Sequence, residues 1–494
     1  MPDELRKEEL EAKHALYKLY ESDWQLFDLV YSSGYPLIEF ALQRHTRETY
    51  DNWQERLAEG FNFNFGKSII DIFSFYLTEK DVIRKLAKLK NDPLWKLFYK
   101  DADLYGTDYN VLIDDIQKIA STYGSSGILV TKPYADNKTV QQDIDDGIYP
   151  YYAVYSLPNI INWKFKRDIK TNRQVLSFLN LVESNGDHLV WYPDAWQRYE
   201  VTKNTQGATT KIELSEDGEN ALGEIPFTWM VNLKNRKHPE IGASDIIDIS
   251  RIITSVIRDL SCGQEIMKFA GFPIRRQPMT TDDTGNDDEV PTGPKAVEEF
   301  DPTLGDKGKP DWMPTEILEP IEAILKWIDR KSDEIYRVAH LSGVHGQRKS
   351  NNEVASGMAL RYEFQQLNAV MNAKAVNQTE AELKALRFWL LWQGKEDLFA
   401  DMEIKRSQEF SIDDLSIALD NAITGMSNVV SKTFRVLVQE KITEHVLPDI
   451  GQKDKKKISD EIEANTPDKI EMTGAKPTKT RTELESRADH SENG

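Results

Sequence analysis

The run ASDIIDISRIITSVIRDLSCGQEIMKFA, residues 243–270, decides the fold that this sequence predicts. Its apolar residues recur at intervals of three and four, which predicts one long amphipathic helix with a single buried stripe. Residues 316–341 repeat the pattern, and at 1.5 Å rise per residue each helix would be roughly 40 Å long. Because helices in globular proteins average about 11–12 residues, two successive rods of this length are typical of a chain that assembles with other copies.

An acidic, proline-rich segment, residues 271–314, separates the two rods. It contains seven prolines, and this composition argues against an independent hydrophobic core. We predict short strands at residues 273–276 and 295–300, with a disordered surface loop as the alternative. The acidic cluster of this segment comprises Asp282, Asp283, Asp287, Asp288 and Glu289.

The composition is that of a soluble protein with several domains: 494 residues, a mean hydropathy of −0.56 and one cysteine, Cys262. A single cysteine cannot form an internal disulfide, so we expect a reducing compartment. The apolar runs are shorter than the roughly 20 residues of a membrane span. Residues 1–13 lack the apolar core that a secretory signal would have.

The formal net charge is −20, from 82 acidic and 62 basic residues. Proteins that hold DNA through its phosphates normally present a basic face, because the release of counterions drives that binding. We therefore expect no tight DNA binding by a single copy. Solubility is the alternative explanation of the acidity.

The chain before the rods is predicted to be helical first and β-rich afterwards, and the chain after them is predicted to be mainly helical. The predicted helices cover residues 3–24, 36–43, 50–57, 69–77, 95–120, 358–393, 413–422, 432–444 and 456–464. The predicted strands cover residues 127–131, 151–156, 160–165, 175–182, 188–191, 197–201, 211–213, 227–233 and 403–410. The predicted fold class is therefore α+β, mainly helical, with a disordered tail after residue 464.

The sequence contains no H-E-x-x-H, C-x-x-C, EF-hand or G-x-S-x-G pattern. Cys262 lies within the first predicted rod, where we interpret it as a buried hydrophobic residue rather than a nucleophile. We therefore predict no catalytic residue, no bound metal and no cofactor.

The tripeptide Gly66-Lys67-Ser68 is similar to the end of a phosphate-binding loop, G-x-x-x-x-G-K-[ST]. Gly60, however, is one residue too far from Gly66, and the residues between them alternate Phe with Asn. We interpret this stretch as packing before a helix, with nucleotide binding as the alternative.

Four short motifs follow one another in a characteristic order. They are Gly223 with Pro226, then Gly242-Ala-Ser244-Asp245, then Ala339-His-Leu-Ser-Gly343, and finally Ala355-Ser-Gly-Met-Ala-Leu-Arg361. With these motifs and the order of helical part, β part, rod, proline-rich segment, rod and long helix, residues 40–410 resemble the portal proteins of tailed double-stranded DNA bacteriophages.

The resemblance implies a portal-type fold and a ring, usually of twelve copies, at one vertex of the capsid. Double-stranded DNA would enter during packaging and leave during ejection through the axial channel, with weak and non-specific contacts. The implied partners are the terminase large subunit, head-completion or adaptor proteins, and the major capsid and scaffolding proteins. The chain would not be an enzyme, would assemble in the host cytoplasm, would reside in the virion and would not contact a membrane.

The resemblance also divides the chain into parts. These are a wing (1–240), a first stem helix (241–270), a clip (271–314), a second stem helix (315–342), a tunnel loop (343–357), a spine helix with its return to the wing (358–410), a crown (411–464) and a disordered tail (465–494).

Four groups of site residues follow from this division. The tunnel-loop candidates that would face DNA are His345, Gln347, Arg348, Lys349, Ser350, Asn351 and Asn352. The channel-facing candidates on the second stem helix are Lys326, Arg330, Lys331 and Arg337. The candidates for the subunit interface are Ile246, Ile249, Ile253, Val256, Ile257, Ile321, Ile324, Leu325 and Ile328. The acidic cluster of the clip would dock the packaging motor.

Two alternatives from other classes remain open. One is a nucleotide-driven packaging factor that uses Gly66-Lys67-Ser68. The other is a monomeric coiled-coil scaffold or adaptor.

Overall fold

The computed structural model divides into two compact units, Met1–Phe410 and Ser411–Gly494. It describes residues 4–46, 48–78, 82–133, 139–204, 209–271, 275–278, 297–300, 311–312, 318–341, 357–407, 431–446 and 452–465. The first unit mixes helices and sheets, which confirms the predicted α+β class at that level.

In the first unit the helices before the rods have 4 to 18 residues. They are α1 (Lys7–Leu10), α2 (Ala15–Ser32), α3 (Tyr35–Ala41), α4 (Tyr50–Ala58), α5 (Phe65–Thr78), α6 (Pro93–Lys100), α7 (Tyr109–Tyr123) and α8 (Val140–Asp146). The longer helices that follow are α9 (Ser250–Gly271), α10 (Leu318–Val338) and α11 (Gly357–Trp392).

The strands confirm most of the predicted β pattern. They are β1 (Ile83–Lys85), β2 (Ser125–Thr131), β3 (Tyr151–Ser156), β4 (Ile160–Arg167), β5 (Gln174–Val182), β6 (His188–Trp191), β7 (Ala195–Lys203), β8 (Thr209–Glu219), β9 (Phe227–Val231), β10 (Arg275–Pro278), β11 (Val297–Phe300), β12 (Asp311–Trp312) and β13 (Glu403–Lys405). Strands β4 to β8 form an antiparallel meander, and β2 pairs with β3 on one side and β9 on the other.

The predicted helix over residues 95–120 is wrong, because the chain breaks it into α6 and α7. In the connection between them, the carboxylate of Asp101 accepts a hydrogen bond from the backbone of Gly106. The carboxylate of Asp108 accepts one from Asn110 N and so caps α7. Aspartates that bond to nearby backbone N–H groups favour turns and helix starts over helix interiors.

The first rod starts later than its apolar spacing predicted, at Ser250 instead of residue 243. The residues before it form turns, in which the hydroxyl of Ser244 accepts a hydrogen bond from Ile246 N and Ala243 N bonds to Leu233 O. The two rods are therefore 22 and 21 residues long, or about 33 and 32 Å. The long helix after them has the predicted 36 residues.

The three-stranded sheet lies between two other layers. Its even-numbered residues, such as Ile128 and Met230, lie in one hydrophobic cluster with α7 and α11. Its odd-numbered residues, such as Leu129 and Phe227, lie in a second cluster with the five-stranded sheet and the helices α2, α5 and α9. Along the described helices, no stretch is both long and apolar enough to cross a membrane.

In its described residues, the second unit has two helices that pack against each other, α12 (Lys432–Val446) and α13 (Gln452–Asn465). They confirm the helices predicted at residues 432–444 and 456–464. The helix predicted at residues 413–422 and the tail after residue 465 lie outside the described residues.

Candidate channel and subunit surfaces

Three of the four channel-facing candidates share one exposed face of α10. At 3.6 residues per turn, Lys326, Arg330 and Arg337 fall within an arc of about 40°, opposite the buried Ile328 and Ile335. The side chains of Lys326 and Arg337 are 78% and 67% exposed.

Carboxylates lie beside the cations of this face. Lys326 Nζ is 3.3 Å from Glu322 Oε2, and the guanidinium of Arg337 is 2.5 Å from Glu334 Oε1. The Arg337 guanidinium lowers the pKa of the Glu334 carboxyl through this contact. The face therefore carries both signs of charge and offers phosphates only weak attraction.

The fourth candidate, Lys331, is not on that face. Its Nζ lies 2.5 Å from Asp259 Oδ2 and 2.6 Å from Ser255 Oγ on α9, and 5.1 Å from the ring centroid of Trp327. Its side chain is only 13% exposed. Lys331 thus ties α10 to α9, and Asp259 balances its charge inside the chain.

The candidates for the subunit interface divide between the two rods. Those of the first rod are all buried within the chain's own core: Ile246, Ile249, Ile253, Val256 and Ile257. The sequence predicts that neighbouring copies cover this apolar stripe. In the structure, α2, α3 and α5 of the same chain cover it instead.

The second rod does leave apolar surface uncovered. Ile328 is buried, and Ile321 and Ile324 are half-buried. Leu325 is 56% exposed, and Leu318, two helical turns away on the same side, is 78% exposed. The interface prediction for the second rod stays open, and this side of α10 is the surface that a neighbouring copy could cover.

The remaining candidates cannot be placed. The seven tunnel-loop residues within 345–352 and the acidic cluster within 282–289 lie outside the described residues.

A buried ion pair joins the turns before the first rod to the long helix α11. Lys374 is completely buried, and its ammonium contacts the carboxylate of Asp245, whose side chain is 3% exposed. Lys374 Nζ also lies 4.1 Å from the ring centroid of Phe73 on α5. Burial lowers the pKa of Lys374, and the Asp245 carboxylate opposes this shift.

Asn232 orients the carboxylate of this pair. Its Nδ2 donates to Asp245 Oδ1 at 2.9 Å, and its Oδ1 accepts from Gln117 Nε2 at 3.0 Å. Asn377 on α11 donates to the carbonyl of Asn232 at 2.9 Å. The network therefore links α7, β9, the first rod and α11.

The same junction explains the glycine of the Gly242-Ala-Ser244-Asp245 motif. A Cβ on Gly242 would lie 2.3 Å from the carbonyl oxygen of Gly124, whose φ is +99°. The two backbones can approach this closely only because neither residue has a side chain. The motif thus marked the junction in the sequence, but nothing in the sequence marked Lys374.

A second buried charge lies farther along α11. Glu382 is fully buried and accepts from Arg84 Nε at 2.6 Å, from Tyr109 Oη at 2.9 Å and from Arg406. Burial alone would raise the pKa of the Glu382 carboxyl, but Arg406 and Arg84 hold it below its usual value. This cluster fixes β1 and the segment after β13 to α11.

Gly66-Lys67-Ser68 forms the first turn of α5. Gly66 packs against Val30, where a Cβ would lie 2.6 Å from a methyl carbon. Asn64 Oδ1 accepts from Lys67 N at 3.1 Å, and the Ser68 hydroxyl donates to Asn64 O at 2.8 Å. A residue of the chain itself therefore occupies a position that a phosphate would need.

The described residues also offer no metal site, since no three His, Cys, Asp or Glu side chains among them are placed to hold an ion.

No protein-family model matches the sequence, and no curated protein matches it either. Among solved structures, a chain of the "Virion of native gene transfer agent (GTA) particle" is similar with a TM-score of 0.42 and 12% identity, over 84% of this chain and 98% of that chain. A chain of the "Neck of empty GTA particle computed with C6 symmetry" gives 0.42 and 11%, over 83% and 99%. A chain of the "Neck of native GTA particle computed with C12 symmetry" gives 0.38 and 10%, over 76% and 89%. At TM-scores below 0.5, these similarities carry no conclusion about fold or function.

Proposed function

We propose that the chain is a non-enzymatic, portal-type structural component of a phage-like particle. Copies of it form a ring at one capsid vertex, and double-stranded DNA passes through the axial channel during packaging and ejection. The terminase, head-completion or adaptor proteins, and the capsid and scaffolding proteins are its partners in this proposal. The rods α9 and α10 are the stem, and α11 is the spine.

The observation that supports the proposal most is the asymmetry of α10. One side packs on α9, the opposite side carries the exposed cations, and a third side leaves Leu318 and Leu325 uncovered. In a ring, these sides correspond to the chain's own stem partner, the channel and the neighbouring copy.

The charge of the exposed face suits a channel through which DNA must move. A face of unpaired cations would hold the duplex, because each neutralised phosphate adds to the binding free energy. On α10 the carboxylates of Glu322 and Glu334 lie against Lys326 and Arg337. Phosphates would therefore be contacted briefly and released, which matches the net charge of −20.

Imaging of the purified chain tests the assembly. Twelve copies of 56.8 kDa would give a particle of about 680 kDa, with an axial hole in negative-stain images. A monomer of elongated shape would instead support the scaffold alternative.

A charge on the apolar side of α10 tests which surface holds the ring together. We expect Leu325→Glu to lower the yield of rings at least about tenfold, since a carboxylate would be desolvated in the interface. Val140→Glu is the matched control, because Val140 on α8 is exposed to a similar extent, 51% against 56% for Leu325. Normal rings from Leu325→Glu would show that this side of α10 is not the interface.

ATP turnover by the purified chain separates the proposal from the nucleotide-driven alternative. We expect none, because the first turn of α5 lacks a free phosphate cradle. Turnover that Lys67→Ala abolishes would overturn the non-enzymatic proposal.

A further inference from the structure

The three-stranded sheet ends in a groove that has room for another strand. A cavity of about 770 Å³ lies beside β9, between α11 and the ends of β4 and β5. Both layers that cover the sheet therefore extend past its last strand. A fourth strand would be covered on one face by α11 and on the other by β5.

The backbone of β9 has unused hydrogen-bonding groups on the side of this groove. Val130 N donates to Pro226 O, and Asn232 N donates to Gly124 O, at 2.8 and 2.9 Å. In an antiparallel ladder, bonded positions alternate, so the even-numbered residues of β9 bond to β2. The N–H and C=O groups of Trp229 and Val231 point to the open edge, where the described chain supplies no strand; the N–H of Phe227 already donates to Ile225 O at 2.8 Å.

A side chain in the same groove also lacks a partner. Trp229 lines the cavity, and its ring packs edge-on against Trp163 at 5.5 Å. Its buried Nε1 donates to no acceptor in the described part of the chain. Buried N–H groups are nearly always satisfied in native proteins. This N–H lies below the surface of the groove, so an occupant is indicated instead by the open backbone edge of β9 and by the charges of the lining.

The charges around the groove favour an acidic occupant. Two of its cations, Lys234 and Arg387, are neutralised by Glu380 and Glu224 at 2.7 Å each. Three further cations of the lining make no ion pair with a described carboxylate: Arg173, Arg236 and Lys384. Glu240 is the one lining acid outside those two pairs, so the groove carries a positive surplus in a chain of net charge −20.

We propose that the strand β8 of a neighbouring copy occupies this groove and extends the three-stranded sheet. Strand β8 has a free backbone edge that could pair with β9, since it is the last strand of the five-stranded sheet. It carries four carboxylates and one lysine: Glu213, Glu216, Asp217, Glu219 and Lys211. This inference rests on the proposed ring.

The end of β8 has the required geometry. Asn220 N donates to Asp194 O at 2.9 Å, so the backbone groups of Asp217 and Glu219 point away from β7. Adjacent residues of a strand project to opposite faces. Glu216 and Asp217 therefore supply one carboxylate to each covered face of the groove.

A contact between two different surfaces of the same chain can also generate a ring. The groove and β8 are different surfaces of one chain, so the contact between copies is head-to-tail. Such contacts close into a cycle when the rotation between copies allows it. Paired strand edges give affinity through main-chain hydrogen bonds.

Carbodiimide coupling of the assembled full-length chain tests the occupant. The reagent joins a lysine amine to a carboxylate in contact with it. We expect Lys384 to be joined to an acidic residue of β8, and in rings mixed from ¹⁴N and ¹⁵N chains the joined peptides should carry mixed labels. Lys234, paired with Glu380 of its own chain, should give same-label products only. The coupling at position 384 should be absent from Lys384→Arg, because the reagent does not join a guanidinium to a carboxylate.

Charge exchange tests the same contact by assembly. We expect Arg173→Glu with Lys384→Glu to raise the concentration needed for assembly at least about tenfold, because like charges would face each other across the contact. Adding Glu216→Lys and Asp217→Lys, one on each face of the strand, to the same chain should restore it to within about threefold. The rescue also shows that the altered chain folds.

The outcomes separate the inference from the proposed function. Rings without mixed-label coupling at Lys384, or with coupling to a carboxylate outside β8, would overturn the inference and leave the ring intact. Failure of the charge exchange to restore assembly would also count against β8. A chain that never forms rings would overturn the proposed function itself.

Discussion

Replacing Asp245 by asparagine should loosen the junction between the first rod and α11. The change keeps the shape of the side chain and a carbonyl that can accept from Asn232. It removes the charge that faces the completely buried ammonium of Lys374. The lysine would then be left in an apolar site beside the ring of Phe73.

The expected cost follows from the burial of both partners. Removing one member of a buried ion pair typically costs about 3–5 kcal/mol, because the other charge stays desolvated without compensation. At about 1.4 kcal/mol for each factor of ten, local opening should become roughly 100- to 4,000-fold more frequent. Replacing both residues, Asp245→Asn with Lys374→Met, removes the stranded charge and should recover most of this loss.

Hydrogen–deuterium exchange of the full chain, read by mass spectrometry, measures the opening directly. Peptides that cover residues 246–253 and 370–378 should exchange faster by the stated factor, limited by the global stability. Glu380→Gln is the matched control, since it breaks a pair with Lys234 that is about half exposed and should cost less than about 1 kcal/mol.

Two results would refute this reasoning. In the first, Asp245→Asn changes the exchange rate of both peptides by less than about threefold, as expected for the loss of a surface ion pair. In the second, the double variant is as destabilised as the single one. The charge of Lys374 would then not be the cause.

Two further predictions concern titration and the contact between the rods. Burial lowers the pKa of His14 below its usual 6.5, and its neutral Nδ1 accepts from Leu16 N at 3.2 Å while the ring stacks on Trp163 at 4.0 Å. As the pH drops below 6.5, the His14 ring of the unfolded chain binds a proton before that of the folded chain, so the free energy of unfolding should fall. In urea unfolding, His14→Asn, which keeps a capping acceptor, should lose this part of the pH dependence. An unchanged pH profile would exclude His14 as its source. Lys331→Met should lower the free energy of unfolding by about 1.5–3 kcal/mol, since it removes charge-assisted hydrogen bonds to α9. Lys326→Met, on the exposed face, should lower it by less than about 1 kcal/mol. Equal losses of stability would contradict the placement of Lys331.

Local patterns in the sequence were sufficient for most elements. Short runs of β-forming residues bounded by turn residues located the strands β3 and β6 to the residue, and period-3.6 spacing located α11 within one residue at each end. The helix over residues 95–120 failed for an equally local reason. Its apolar spacing continues through the break, while the aspartates Asp101 and Asp108 bond to the backbone and end one helix before the next begins.

Long-range pairing explains what the sequence could not reveal about the sites. Lys331 and Arg330 are adjacent cations on one predicted rod. Helical spacing places Lys331 beside the apolar stripe and Arg330 opposite it, but it does not reveal that Asp259, 72 residues away, pairs with the Lys331 ammonium. Likewise, the apolar stripe around Ile253 has the spacing of an interface as much as of a core. Whether the stripe is core or interface depends on whether α2, α3 and α5 pack on it. The periodicity within the rod contains no information about that packing.

The two buried charges of α11 give this helix a unique position along its axis. Lys374 and Glu382 are eight residues apart, about 12 Å, so neither can compensate the other. Each instead meets a partner from a distant part of the chain, Asp245 for the first and the arginines Arg84 and Arg406 for the second. A slip of α11 by one turn would separate both pairs at once and leave charges buried without compensation, at several kcal/mol each. A purely apolar face would have allowed neighbouring registers at much lower cost. In the proposed ring, α11 is the spine that connects the stem to the surrounding wing. The two buried pairs would then hold the stem and the wing in a fixed position relative to each other.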